Sequence, residues 1–454
     1  MAGPGKLLSG PRRSQPTPST DIAIVGAGPA GTAAAICCAH AGLGVEIVER
    51  ECFPRERPGE TLHPGVEILL DRLGVLDAVS RAGFMRHAGI RVHWDQVPRF
   101  VPYGADASGR WRGFQAWRAT LDVILLARAV ELGATLRQPC RALRPIFERG
   151  RVCGVETSRG RLKARLVVDA AGAQHWLARR SGIGILAHSP RLVARYGYRA
   201  ERINDRRADR WCADFGRARL GAPAGEEIEA PAPILTAERA GWTWTAQVAP
   251  RLHAWTRLAL GAAYPDPKQV PPTLGKLEPR GHVRGADVSW RVLRSPAGAG
   301  YMAVGDAAAT LDPSSSHGVL KALMSGLAVA DLAIDALTKA SHEAQAIERY
   351  NAWVRGLFDA DAAELRRLYS RLQCPPRWVV GSPASDRCLR SRAAADSHST
   401  SLQLADMHQG RQTVKVQNTI SSNPGTRRED QGGADSSTGA GEAPLSTSLP
   451  GPRP

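Results

Sequence analysis

"DIAIVGAGPAGTAAAICCAH", residues 21–40, sets six small residues between two apolar runs. Ile22, Ala23, Ile24 and Val25 predict a short buried strand, and residues 32–41 an alanine-rich helix. The turn between them, Gly26-Ala27-Gly28-Pro29-Ala30-Gly31, carries glycine at its first, third and sixth places. Gly26 permits the bend, Gly28 lets the backbone approach a pyrophosphate, and Gly31 lets helix and strand pack closely. N–H groups at the helix start would then face the phosphate. A second strand, 45–48, ends in Glu49, with Arg50 after it. An acid at that strand end can accept hydrogen bonds from a ribose diol. Strand, turn, helix and acid together point to a bound dinucleotide, without choosing between NAD and FAD.

The chain has 454 residues, room for two or three domains. Lys plus Arg number 60 against 43 for Asp plus Glu, a formal charge of +17. The excess is spread along the chain, with no basic stripe interleaved with aromatics, so no nucleic-acid partner is expected. None of the eight cysteines forms a CxxC, and no histidine lies at zinc spacing from them. No metal site is expected, and a reduced, cytoplasmic setting fits. Residues 1–19 and 376–454 are polar, rich in Ser, Pro and Gly, and are expected to be disordered. No apolar run reaches the roughly 18 residues of a membrane span.

Between those tails the patterns alternate. A helix is expected at 66–73, aromatic-rich strands within 86–117, and a helix through 118–134 that Gly133 stops. Strands follow at 142–148 and 152–157, and the stretch 165–183 reads as an apolar strand opening into a small-residue turn. Residues 184–284 look β-like, with Trp242, Trp244 and Trp255. Residues 299–337 read as strand, loop and long apolar helix, and 343–372 as a charged amphipathic helix. The fold class is therefore α/β: a Rossmann-type dinucleotide-binding domain with an inserted β-rich substrate domain and C-terminal helices. The first domain is expected to be discontinuous, 20–85 plus 113–183 plus 285–337. The insert is 86–112 plus 184–284, and 338–375 is the C-terminal helical segment.

Asp306 follows a strand, where it can hydrogen-bond a polyol such as a ribityl chain. Asp312-Pro313 and the run Ser314-Ser315-Ser316-His317-Gly318 stand directly before the long helix. A helix N-terminus there offers N–H groups and positive potential to an anionic ring. A capping loop that binds nothing would use the same residue types.

These segments resemble FAD-dependent monooxygenases of the para-hydroxybenzoate hydroxylase fold, in the branch shared with tryptophan halogenases. The likeness covers about residues 20–335. It rests on the glycine turn with Glu49, "PGETLHP" 58–64, "DAAG" 169–172, "GWTWTAQVAP" 241–250 and "GDAAATLDPSSSHG" 305–318. The fourth looks like the halogenase WxWxIP signature, altered near its end. "RPGETLHPGVEILLDRLGV" looks most like the flavoprotein that hydroxylates a peptidyl tryptophan in quinohemoprotein amine dehydrogenase maturation.

The resemblance implies that Gly26, Gly28, Pro29, Ala30 and Gly31 take the FAD pyrophosphate, with Glu49 and Arg50 at the adenosine end. Arg118 would contact phosphate or ribityl, Asp306 would hold the ribityl chain, and Ser316, His317 and Gly318 would sit by the ring. His63, His87, Trp242, Trp244 and His317 are pocket candidates, none assigned as acid or base. The halogenase pocket lysine falls on Arg86 or a neighbour, there is no lysine between Lys6 and Lys163, and Ser315 stands at the halogenase glutamate position. Arg cannot readily form a haloamine, since it stays charged. The expected reaction is therefore hydroxylation of an indole-like small molecule or peptide by O₂ through a flavin C4a-hydroperoxide. NAD(P)H or a flavin reductase would supply the electrons. Halogenation, prenyl-lipid reduction, and a non-catalytic or truncated flavoprotein are the alternatives.

Overall fold

The computed structural model describes residues 19–380, apart from 95–96, 108, 203–228, 262–265, 267–268 and 339–341. The tails expected to be disordered lie outside the described residues, except at their inner edges. At one such edge the boundary at 375 falls short. Residues Arg377–Val380 form a short helix in which Trp378 donates from its indole to the Leu260 carbonyl at 3.0 Å. Its ring packs edge-on against Trp290, so burial extends the folded body past 375.

Ser19–Val25 lies in an eight-stranded sheet, parallel to Val45–Val48 on one side and Gly160–Asp169 on the other. Tyr301–Ala303 adds parallel to Gly160–Asp169, and Thr135–Arg137 to Val45–Val48. Val25 is in register with Val48 and Asp169, and Asp169 with Ala303. The chain therefore leaves four neighbouring strands at one edge, delivering Gly26, Glu49, Ala170 and Gly305 there together. Ligands of open parallel sheets bind beyond such carboxyl ends.

The helices are numbered α1 (Pro29–His40), α2 (Val66–Arg72), α3 (Leu76–Arg81), α4 (Arg118–Glu131), α5 (Trp176–Ser181), α6 (Gly318–Thr338), α7 (Glu343–Tyr369) and α8 (Arg377–Val380). Helix α1 opens at Pro29, three residues before the expected start. Proline is pre-set for the first helical position, where its missing N–H costs nothing. None of the described helices is long and apolar enough to cross a membrane.

Gly26 has φ +105°, and an added Cβ would stand 2.5 Å from the Ala170 oxygen. A Cβ on Gly31 would lie 2.1 Å from the Gly26 oxygen. Both glycines are needed for the backbone to pass.

A second, seven-stranded sheet runs Glu278–Asp287, Val193–Ala200, Leu252–Ala259, Gly241–Ala249, Ile234–Glu238, Gly89–His93 and Arg99–Pro102. Residues from both sides of α4 thus share one sheet. Trp242 and Trp244, two apart on one strand, share a face.

Candidate functional site

A cavity of about 1080 Å³ opens at the carboxyl edge of the parallel sheet. Its wall runs from Gly26, Gly28, Pro29 and Ala30, past Glu49 and Arg50, to Arg118, Asp306, Ser316 and Gly318. It ends against the second sheet at Trp242 and Trp244. Sequence-expected residues over 200 positions apart thus face one space.

Glu49 is buried. Its Oε2 accepts from the Ala27 N–H at 2.8 Å and its Oε1 from the Glu51 N–H at 2.9 Å. Arg55 approaches the same carboxylate, Nη1 to Oε2 3.3 Å. Its Nη2 lies 3.6 Å from where a Gly28 Cβ would be. Burial presses the Arg55 pKa down, and Glu49 and Asp122 oppose it. Arg55 was missed in the sequence as part of a Pro/Gly-rich loop. Its signal was position, a cation six residues beyond the strand-end acid. Arg50 is more exposed and pairs with Glu51.

Arg118 opens α4 and grips Asp122 two-pronged, while its Nη1 donates to the Pro58 carbonyl at 3.1 Å. Burial opposes the Arg118 charge, but Asp122, Glu60 and Asp306 outweigh it and raise its pKa. Glu60, a cavity residue to which the sequence reading gave no role, is fully buried. It accepts from the Tyr198 hydroxyl and the Gly59 N–H. Burial pushes its pKa up against those donors.

Asp306 stands open to the cavity, with protein on every side. Desolvation raises its pKa, while Lys321, Arg118 and Arg291 pull it back. Lys321 also lines the cavity, its Nζ 2.5 Å from Asp361 Oδ2. In the loop before α6, Ser316 takes a left-handed φ of +55°.

The histidines sit elsewhere. His63 accepts from the Gly65 N–H through Nδ1, and its ring stacks edge-on to Tyr103 and His317. His87 is buried beside Tyr103, with Nδ1 3.1 Å from the Gly89 carbonyl. Neither His63 nor His87 forms part of the cavity wall. Arg86 is also off the wall: it donates to the Gly113 and Arg112 carbonyls, pairs with Glu67 and covers the Phe114 ring. Asp169 of "DAAG" caps α5 and its approach, accepting from the Ala171 and Leu177 N–H groups; burial lifts its pKa to about 6.

The strand–turn–helix edge and the cavity it opens into are those of a Rossmann-type dinucleotide-binding fold. Residues 19–207 match the family described as FAD binding domain, so this chain carries that domain and FAD is its cofactor. It stands in the class of FAD-dependent oxidoreductases that includes halogenases, hydroxylases and reductases. Tryptophan 2-halogenase of Chondromyces crocatus is 27% identical over 376 residues, 75% of this chain. This chain spans 66% of that relative's length. Among solved structures, the flavin-dependent brominase Bmp2 superposes with a TM-score of 0.65 at 21% identity, covering 87% of this chain and 94% of that one. The peptidyl tryptophan dihydroxylase QhpG superposes at 0.58 and 20%, covering 80% and 78%. Those two likenesses establish the fold.

The residues fit FAD on their own chemistry. Gly28 leaves the turn open beside a buried arginine, a buried carboxylate ends the second strand, and Asp306 presents acceptors to the cavity.

Proposed function

We propose that this chain catalyses FAD-dependent oxidation of an electron-rich aromatic ring, with halogenation as the first reading. The halogenase relative aligned over three quarters of the chain supports halogenation over the hydroxylation expected from sequence. The structural observation that carries the wider class is the single cavity joining the glycine turn to Trp244. Bound FAD supplies electrons to O₂, and so an oxidant for halide or ring. A flavin reductase is the partner that would keep it reduced.

In this reading Arg55 and the turn N–H groups hold the pyrophosphate, and Asp306 accepts from the ribityl hydroxyls. Gly318 and its neighbours present N–H groups to the ring edge. Trp244 offers a flat apolar face on which an aromatic substrate stacks. An amine is needed to hold an electrophilic halogen. Lys321 is the one lysine in the cavity wall among the described residues. Arg86, the expected substitute, is committed to Glu67 outside it.

Hydroxylation is the second reading, favoured by the Lys321–Asp361 ion pair, which occupies the amine. One experiment separates the two. The protein is supplied with FAD, a flavin reductase, NADH, O₂, bromide and tryptophan or indole, and products are read by mass spectrometry. Bromoindole formed by the wild type and lost with Lys321→Met supports halogenation; hydroxylated product alone from the wild type supports the second reading. Neither product above the level of free peroxide with bromide overturns the proposal for these substrates.

A further inference from the structure

Tyr369, the last residue of α7, sits fully buried among Trp94, Trp242 and Trp290. Its hydroxyl donates to Asp312 Oδ1 at 2.6 Å and receives the Trp242 indole N–H at 3.0 Å. The Ser314 hydroxyl lies 2.9 Å away. Asp312 is itself buried, and also accepts from the Trp290 indole at 2.8 Å and the Ser314 N–H at 3.2 Å. One phenol therefore joins three parts of the fold: helix α7, the tryptophan strand and the loop that opens into α6. Both of its lone pairs and its proton are used.

We propose that Tyr369 is a positioning residue for FAD, fixing the 312–318 loop and tying it through Trp242 to the seven-stranded sheet. The loop has little backbone bonding of its own: Ser316 N–H to the Pro313 carbonyl, then Lys321 N–H to the His317 carbonyl. Its short 3-10 turn and left-handed Ser316 need outside restraint to persist. Asp312 and Ser314 supply it, and both are anchored on the same hydroxyl. Ser316 and Gly318, at the far end of that loop, face the cavity that begins at the glycine turn. Displacing them would change which N–H groups meet the flavin, and hence the stability of its reduced form. Trp242, which lines the cavity as expected, is fully buried and its N–H is committed to this phenol. This inference rests on the FAD placement and not on the choice between halogenation and hydroxylation.

The test is Tyr369→Phe, which keeps the ring packing and removes the hydroxyl. Asp312 would lose its closest donor, and the Trp242 N–H its acceptor, at one stroke. Apo protein is titrated with FAD by fluorescence quenching, and the visible spectrum and midpoint potential of the bound flavin are recorded. With the circular dichroism of the apo variant unchanged, FAD binding should weaken roughly tenfold, with altered flavin bands and a shifted potential. A merely structural tyrosine would leave bands and potential as they were. Folded Tyr369→Phe with wild-type affinity, spectrum and potential overturns the proposal, while wild-type protein that takes up no FAD overturns the placement beneath it. Should Tyr369→Phe fail to fold, Ser314→Ala removes the second hydroxyl of the same cluster and is read by the same criteria.

Discussion

Arg118 and Asp122 meet in a two-pronged ion pair one turn apart on α4, Nε to Oδ1 2.9 Å and Nη2 to Oδ2 3.1 Å. Asp122 is fully buried, so the aspartate serves to aim the guanidinium into the cavity. Asp122→Ala would strand a buried cation. It should lower unfolding stability by about 3 kcal/mol and weaken FAD binding severalfold. Arg118→Lys keeps the charge but loses the fork, and should not restore wild-type FAD affinity. Denaturant titration and FAD titration check both; wild-type affinity in the lysine variant would remove Arg118 from the site.

The glycine turn divides into two functions that substitution can separate. Gly31→Ala forces a Cβ onto the Gly26 carbonyl and should destabilise the apo protein by roughly 1–3 kcal/mol. Gly28 has an ordinary φ of −77°, and nothing but the end of Arg55 lies near its missing Cβ. Gly28→Val should therefore leave the apo melting temperature nearly unchanged and abolish the yellow colour of the purified protein. A yellow Gly28→Val variant of normal affinity would move the pyrophosphate elsewhere.

His87 makes stability depend on acid. Burial lowers its pKa from 6.5 to about 4, helped by the neighbouring charges of Arg86 and Arg112. The folded state thus holds the neutral ring while the unfolded chain takes up a proton. The contribution is complete above pH 6.5, falls as pH drops through that value, and is lost by about pH 4. The total is roughly 3 kcal/mol. Urea unfolding at pH 7, 6 and 5 should show this loss in wild type and a flatter profile in His87→Phe. Equal slopes in both would mean that His87 does not carry the effect.

Period and turn chemistry make the sheet edge legible in the sequence. The strand at 45–48 and the helices near 66, 118, 319 and 343 lie where patterning put them, because each is a local signal of spacing and small residues. What escaped depends on which side chains meet across the fold. Nothing local in "GWTWT" says that Trp242 turns its N–H to a tyrosine 127 residues later, or that Asp312 meets Tyr369 across 57. Arg86 and Arg118 are equally plain arginines in sequence. Only packing sends one to Glu67 and the other into the cavity. Glu60 sat in a quoted motif without a role, since its importance comes from burial beside Tyr198.

Arg55 and Arg50 flank the same strand end and make the sharpest comparison at the adenosine side. The Arg55 side chain is 13% exposed and held near Glu49, while that of Arg50 is 55% exposed and pairs with Glu51. An exposed pair contributes little, because water screens it and the side chain must be ordered to form it. A buried guanidinium beside an open glycine is already ordered and meets a phosphate at low dielectric, where charge-assisted hydrogen bonds are strong. Arg55→Met should therefore weaken FAD binding by roughly tenfold or more, and Arg50→Met by less than about threefold. The Arg55 variant also leaves Glu49 without its guanidinium, though the Ala27 N–H still holds that carboxylate in place. Isothermal titration of FAD into both apo variants at two salt concentrations measures this. The wild-type advantage over Arg55→Met should survive the higher salt, since a buried contact is screened far less than a surface one. Equal losses in the two variants, or a difference that vanishes with salt, would place Arg55 outside the pyrophosphate contact.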